Sequence, residues 1–272
     1  MSSNNSHCPA TVVVKLGGSV LAGDADYARA AAFLSERLAA APHERFVAVV
    51  SAQEGHTDAL ERSARGIVRH PSTRVLDLLW STGEIRSVAL LTLHLEALGI
   101  SAAPLNVHET GLRTGEGGEA SLHYSRLHAE LVARRVAVVP GFLAADAHGQ
   151  ITALGRGGSD LTAVLLAVGL GAARCELVKD VPGYFTADPH RDASAGHLPA
   201  LTFEEALGLA DDGCDLVQRR AIEAAARAGL PLVVRSLDGG APVSVVGAGS
   251  AVNNPARIPA GAAIAAFAAS GV

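Results

Sequence analysis

The stretch LGRGGSDLTAVLLA, residues 154–167, decides how this chain is read. Four residues of glycine and arginine, Gly155 to Gly158, run directly into Ser159, Asp160 and an apolar segment of helical period. A helix that starts on a glycine loop aims its first backbone N–H donors outward, and Arg156 adds a guanidinium able to grip an oxyanion with two parallel bonds. Loop, arginine and helix start together make an anion site. A plainer reading, that Ser159 or Asp160 only caps the helix, is compatible with it.

Outward from this segment, short valine-rich runs alternate with longer stretches of helical period. Strands are expected near Thr11 to Leu16, Phe46 to Ser51, Ala103 to Val107, Val136 to Phe142, Cys175 to Val181 and Leu232 to Leu237. Helices are expected over Ala25 to Ala40, Thr73 to Leu98 with a break near Gly83, Ser121 to Arg135, Ser159 to Leu170, Thr202 to Ala210 and Leu216 to Ala228. This alternation predicts an α/β protein, a three-layer αβα sandwich around a mostly parallel sheet. The turn-rich AADAHGQIT, residues 144–152, reads as a β-hairpin reaching off the sheet edge, and Ser194 to Pro199 as a loop. After Gly247 the chain is rich in Ala, Gly, Asn and Pro and lacks strong periodicity.

Composition removes several function classes. Aromatics make up only 4% of a chain that is 49% hydrophobic, so much of the apolar content is alanine, suited to helices packed closely on a sheet. A formal charge of −5 with no run of five Lys or Arg argues against nucleic acid and against an anionic membrane surface. Cys8, Cys175 and Cys214 are far apart and form no C-x-x-C, which suits a reducing, cytoplasmic setting without disulfides or a zinc site. The opening MSSNNSHCPA has no basic and apolar regions of a signal peptide, and the longest apolar runs, 161–173 and 259–269, fall short of the roughly 20 residues of a membrane helix.

Three more segments carry candidate chemistry. In VVVKLGGSVL, residues 12–21, Lys15 ends a strand, and Gly17 and Gly18 let backbone approach a phosphate; an ordinary tight turn with a surface lysine is the alternative. In VKDVPGYFTADP, residues 178–189, a strand ends at Lys179 and Asp180 and continues past Tyr184 to Asp188. That grouping suits a nucleotide, or else two turns with the aromatics in the core. In WSTGEIRS, residues 80–87, Glu84 and Arg86 interrupt an apolar helical stretch, where a charge must be paired, exposed or functional. The histidines show no metal-ligand spacing, and no protein metal site is expected.

Taken in this order and at these spacings, the segments resemble the aspartokinases of the amino-acid kinase superfamily. GRGGSD at 155–160 and DVPGxxTADP at 180–189 carry the resemblance, with VVSAxxGxTxxL at 49–60 and STGE at 81–84; it runs from about Val12 to Leu237. It implies the amino-acid kinase fold as one domain over residues 1–272, with an amino-acid lobe over about 10–155 and a nucleotide lobe over about 156–250. It also implies phosphorylation of the side-chain carboxylate of aspartate with ATP and Mg2+, and a homodimer. Lys15, Gly17, Gly18 and Ser19 would then hold the transferring phosphoryl group. Arg156, with Gly157 and Ser159 beside it, would clamp the α-carboxylate of the amino acid. Ser51, Thr57, Glu84 and Phe142 would shape the same pocket, Glu84 facing the ammonium. Asp160 would orient Lys15, while Lys179, Asp180, Tyr184 and Asp188 would line the nucleotide side.

Three departures from the pattern matter. Where such enzymes carry a lysine in a GAKVLHPRA-like stretch, residues 213–221 read GCDLVQRRA and place Asp215; Lys179, where threonine is usual, or Arg219 would restore the lost charge. Glu54 and His56 add a carboxylate and an imidazole beside the amino-acid pocket, or else face solvent. The 272 residues end where regulatory ACT domains would begin, so feedback by lysine or threonine through them is not expected. Two further readings stay open: a kinase for another amino acid or a modified carboxylate, and a catalytically weakened nucleotide-binding subunit, for which Asp215 is the best support.

Overall fold

A computed structural model describes residues 9–115 and 119–247. The elements begin with β1 (Ala10–Leu16), α1 (Asp24–Ala40), β2 (Glu44–Val50), α2 (His56–Ile67), α3 (Thr73–Ala97) and β3 (Ala102–Pro104). Next come α4 (Val107–Thr110), β4 (Leu112–Thr114), β5 (Ala120–Leu122), α5 (Ser125–Ala133), β6 (Val136–Pro140), β7 (Leu143–Ala145) and β8 (Ile151–Ala153). The chain continues through α6 (Gly158–Gly169), β9 (Arg174–Val178), β10 (Tyr184–Phe185), β11 (His197–Leu198) and β12 (Ala200–Leu201). It closes with α7 (Phe203–Asp211), α8 (Arg219–Ala228), β13 (Leu232–Arg235) and β14 (Ser244–Val246).

Eight strands form the central sheet in the order β12-β14-β13-β9-β1-β2-β6-β3. All its pairings are parallel except β13 with β14. Alternation along β1 explains the layers, because successive side chains of a strand point to opposite faces. Val12, Val14 and Leu16 join the apolar layer that includes Tyr27, Phe33 and Leu34 of α1 and Leu91 and Leu95 of α3. Val13 joins the opposite layer with Leu161, Val164 and Leu166 of α6 and Ile222 and Ala225 of α8. The result is the expected αβα sandwich. Among the described residues no helix is long and apolar enough to cross a membrane.

Several boundaries differ from the sequence reading. α3 runs unbroken through Gly83; the glycine serves close packing, since a Cβ there would meet Ala52 Cβ at 3.1 Å and His56 Cδ2 at 2.9 Å. The helix expected over Ser121 to Arg135 is shorter, because Ala120–Leu122 pairs antiparallel with β4 and the helix starts only at Ser125. The hairpin near residue 147 exists, but β7 and β8 belong to a separate four-stranded sheet, β5-β4-β7-β8, and not to the central one. The last helix starts at Arg219 and not at Leu216, since Gln218 accepts from Ala221 N and caps it. Several elements had no counterpart in the sequence reading: α2, the short α4, β4, β10, β12 and β14, and β11, which lies in the segment read as a loop. Cys8 and the tail after Gly247 lie outside the described residues; Cys175 and Cys214 are free thiols.

Candidate active site

β1, β2, β6 and β9 all point their C-terminal ends the same way, and the segments that follow them meet there. Open parallel sheets bind ligands in the crevice beyond those ends. A cleft of about 550 Å³ occupies this position, between the loops after the four strands and the start of α6.

Lys15, on the last turn of β1, is 7% exposed. Its Nζ lies 2.9 Å from Asp160 Oδ1. Asp160 sits in the first turn of α6 and also receives Lys179 Nζ at 2.8 Å and the Gln218 backbone N–H at 3.2 Å, both on Oδ2. Burial raises the carboxyl's pKa, and the two lysine charges and their hydrogen bonds more than reverse that, bringing it to about 2. Asp160 is therefore ionised at neutral pH, and two ammonium groups share its single negative charge.

The backbone around these charges is open to a ligand. Gly17 lies against the ammonium of Lys15, where a Cβ would come within 2.9 Å of Nζ. Gly18 fits under the 52–55 loop, where a Cβ would stand 3.0 Å from Ala52 O. α6 begins on Gly157 at φ 68°, left-handed backbone that favours glycine, and no side chain caps it. Neither Ser159 nor Asp160 is the cap; the Gly158 and Asp160 N–H groups donate back to Gly155 O and Gly157 O, and Gly157, Gly158 and Ser159 line the cleft. α2 likewise begins on a left-handed glycine, Gly55 at φ 71°, without a side-chain cap and on the same cleft.

The other wall comes from α3 and the segment after β6. Glu84, one turn beyond Trp80, is 3% exposed and lines the cleft. Its Oε2 has no hydrogen-bond partner among the described residues. Burial pushes its pKa up to about 8, against the opposing pull of the Ala52 backbone hydrogen bond and the Lys15 charge. Phe142 has φ 66°, the one positive value outside glycine among the described residues. Strained backbone of this kind is kept where surroundings over-determine it. Here Leu154 N donates to Phe142 O at 2.8 Å, Gly158 packs beneath the ring, and Trp80 packs against it, tilted by 58°, at 5.9 Å between centroids. Arg156 stands exposed on the rim between these walls.

Lys15, Gly18, Ser19, Ser51, Thr57, Glu84, Phe142, Arg156, Gly157, Ser159, Asp160 and Lys179 thus meet in one cleft, with Gly17 against Lys15. Asp180, Tyr184 and Asp188 are not among the lining residues: Asp180 and Asp188 are exposed. Tyr184 is 2% exposed within the apolar layer, its backbone N–H donating to Ser244 Oγ at 2.8 Å. His56 does not line the cleft but lies over Gly83, whereas Glu54 and Asp215 do line it. Gln218, which had no motif to mark it, ties the site together: its N–H reaches Asp160 and its Nε2 donates to Arg156 O at 3.3 Å.

With Lys15 and Lys179, the exposed Arg156 and the buried Glu84 all lining it, the cleft suits a polyanion and a small zwitterion, which defines an α/β protein of the phosphate-handling class. Residues 10–236 match the model of the Amino acid kinase family, and the chain belongs to that family. An aspartokinase of Thermus thermophilus is 41% identical over 196 residues, 71% of this chain and 48% of the relative. The chain therefore spans about half the length of the curated relatives it matches. The aspartate kinase structure from Synechocystis superposes with a TM-score of 0.78 at 35% identity, over 88% of this chain and 40% of that one. E. coli aspartokinase III in complex with aspartate and ADP gives 0.71 at 26% identity, over 87% and 64%.

Proposed function

We propose that this chain carries an ATP-dependent kinase activity that phosphorylates the side-chain carboxylate of aspartate to 4-phospho-aspartate. The observation that carries the reading is the placing of Lys15 and Arg156 on one cleft, one suited to phosphate and the other to carboxylate. Similarity to E. coli aspartokinase III in complex with aspartate and ADP supports it. The phosphate end joins Lys15, the Gly17–Gly18 turn, Ser19 and the uncapped start of α6. Arg156 then pairs the α-carboxylate and Glu84 the ammonium, with Ser51, Thr57, Gly157, Ser159 and Phe142 around them.

The reaction asks little covalent chemistry of the protein. A carboxylate oxygen of the acceptor attacks the γ-phosphorus, the bond to the β-phosphate oxygen breaks, and its electron pair leaves with ADP. A carboxylate is already deprotonated, so no general base is required. Catalysis is alignment and charge neutralisation. Asp160 acts by holding Lys15 in place. Among the described residues no group of three or more His, Cys, Asp or Glu could cage a metal. Mg2+ would enter with the nucleotide phosphates, whose charge it would help neutralise. We assign Asp180 and Asp188 to the nucleotide side beyond the lining residues, the lobes to about 10–155 and 156–250, and the active form to a cytoplasmic homodimer.

One observation favours a second reading. Glu54 lines the cleft and adds a negative charge that aspartate does not call for, which suits an acceptor with an extra cationic or hydrogen-bonding group. Trapping of acyl phosphate as hydroxamate, run with ATP across aspartate, glutamate and related acids, separates the two. Signal with aspartate is expected; signal only with another acid transfers the reaction to that acceptor, and ATP binding without turnover on any acid removes the kinase reading.

A further inference from the structure

We propose that Lys179 is the second cation on the transferring phosphoryl group, partnering Lys15, so that in this chain the end of β9 supplies a charge which the loop ahead of α8 does not. The inference rests on the kinase reading above and deepens it.

Charge balance makes the case. Lys15, Lys179 and Asp160 have side chains only 8%, 12% and 5% exposed, and they line one end of the cleft. Lys179 Nζ contacts both oxygens of Asp160, at 3.2 and 2.8 Å, while Lys15 Nζ takes Oδ1 at 2.9 Å. Within this buried triad two positive charges face one negative, with Asp180 acting on Lys179 from an exposed position, and burying charge that is only partly compensated is costly. An anion arriving against both ammonium groups removes that cost. Lys179 is also firmly placed, since its backbone N–H donates to Arg235 O at 2.8 Å just past the strand end. Burial and the neighbouring Lys15 charge lower its pKa, against Asp160 and Asp180, which raise it.

The other candidate for this role, Arg219, is excluded by position. It is exposed, pairs with Asp211 and Glu223, and is not among the residues lining the cleft. The loop before α8 contributes only Asp215 and Gln218 to the lining, a carboxylate and an amide. During transfer the acceptor oxygen bonds to the γ-phosphorus as the bond to ADP breaks, and the charge spread over the moving group falls between Lys15 and Lys179. Asp160, bonded to both, is the positioning residue.

The test compares Lys179→Thr, Asp215→Lys and the double variant with the parent, using Mg-ATP and the acceptor that gives signal. Lys179→Thr is expected to lower kcat by about 100-fold or more while the acceptor KM moves by less than about threefold. Adding Asp215→Lys to it is expected to recover at least about tenfold, by returning a cation to the opposite wall. Without nucleotide, the melting temperature of Lys179→Thr should stay level or rise, because one of two mutually repelling ammonium groups is gone; a merely structural lysine would lower it. A Lys179→Thr kcat within about twofold of the parent, or no recovery in the double variant, overturns the proposal. If the parent phosphorylates no acid, the kinase reading has failed, and calorimetric titration still decides this one: Lys179→Thr should lose the preference for ATP over ADP, and an unchanged preference overturns it.

Discussion

Single side chains set the electrostatics of the cleft, and two of them give opposite pH signatures. Asp160 is depressed to about 2, so its contribution to stability is complete above the unfolded carboxylate value near 3.8 and is lost as pH falls through the folded one. Asp160→Asn leaves two buried lysines without a counter-charge; a loss of about 3–5 kcal/mol in denaturant melts is expected, with turnover abolished. Glu84 has the reverse sign. Its burial adds no cost below the unfolded value of 4.5 and an increasing one as pH rises to about 8 in the ligand-free protein. An ammonium-bearing acceptor selects the ionised form, so its KM should fall between pH 6 and 8, and Glu84→Gln should flatten that profile. At this scale the sequence was informative where chemistry needs unusual company: an arginine among glycines, a lysine closing a strand, an acid inside an apolar helix. It was silent on Gln218, whose contact with Asp160 is made by a backbone N–H that every residue type but proline provides.

At the scale of elements, glycine positions and one buried ion cluster show what the folded packing demands. Gly83→Ala raises helix propensity by about 1 kcal/mol in isolation, yet the added methyl meets Ala52 in the loop that borders the cleft and His56 at the start of α2. A raised acceptor KM with nearly unchanged ATP KM is expected, and His56→Ala in the same chain should relieve it. The break expected at Gly83 did not occur because the helix is held by tertiary contacts that local propensity does not contain. β14 and β5 escaped notice for a related reason, as three-residue strands carry too little periodicity to read. Glu176, 1% exposed on β9, receives Arg37, Arg174 and Arg235 from three elements. Burial opposes its ionisation, and Arg174 and Arg37 outweigh that to lower its pKa. Glu176→Gln should therefore cost about 3–5 kcal/mol in melts while leaving KM for both substrates unchanged in the folded fraction.

Across the whole molecule, the sheet has a working end and a holding end. Glycine turns, lysines and uncapped helix starts gather beyond the C-terminal ends of the central strands, and Arg174, Glu44 and Arg37 lock β9, β2 and α1 at the other. The alternation of valine runs with helical periods was enough to read the layers, because a two-faced sheet needs apolar residues on both sides of every central strand. What it could not show was the groove between α2 and α3, where Ile67, Val68, Val75 and Leu78 are exposed together. If the proposed homodimer uses this face, sedimentation should show a dimer for the parent chain and a monomer for Leu78→Glu. A last consequence follows from the tilted ring contact of Trp80 with Phe142. Trp80 is the sole tryptophan in the chain, so its emission has one source, and that source touches the wall of the cleft. Acceptor binding should shift or quench the intrinsic fluorescence, giving a label-free optical titration of the amino-acid end of the cleft that is blind to every other part of the protein.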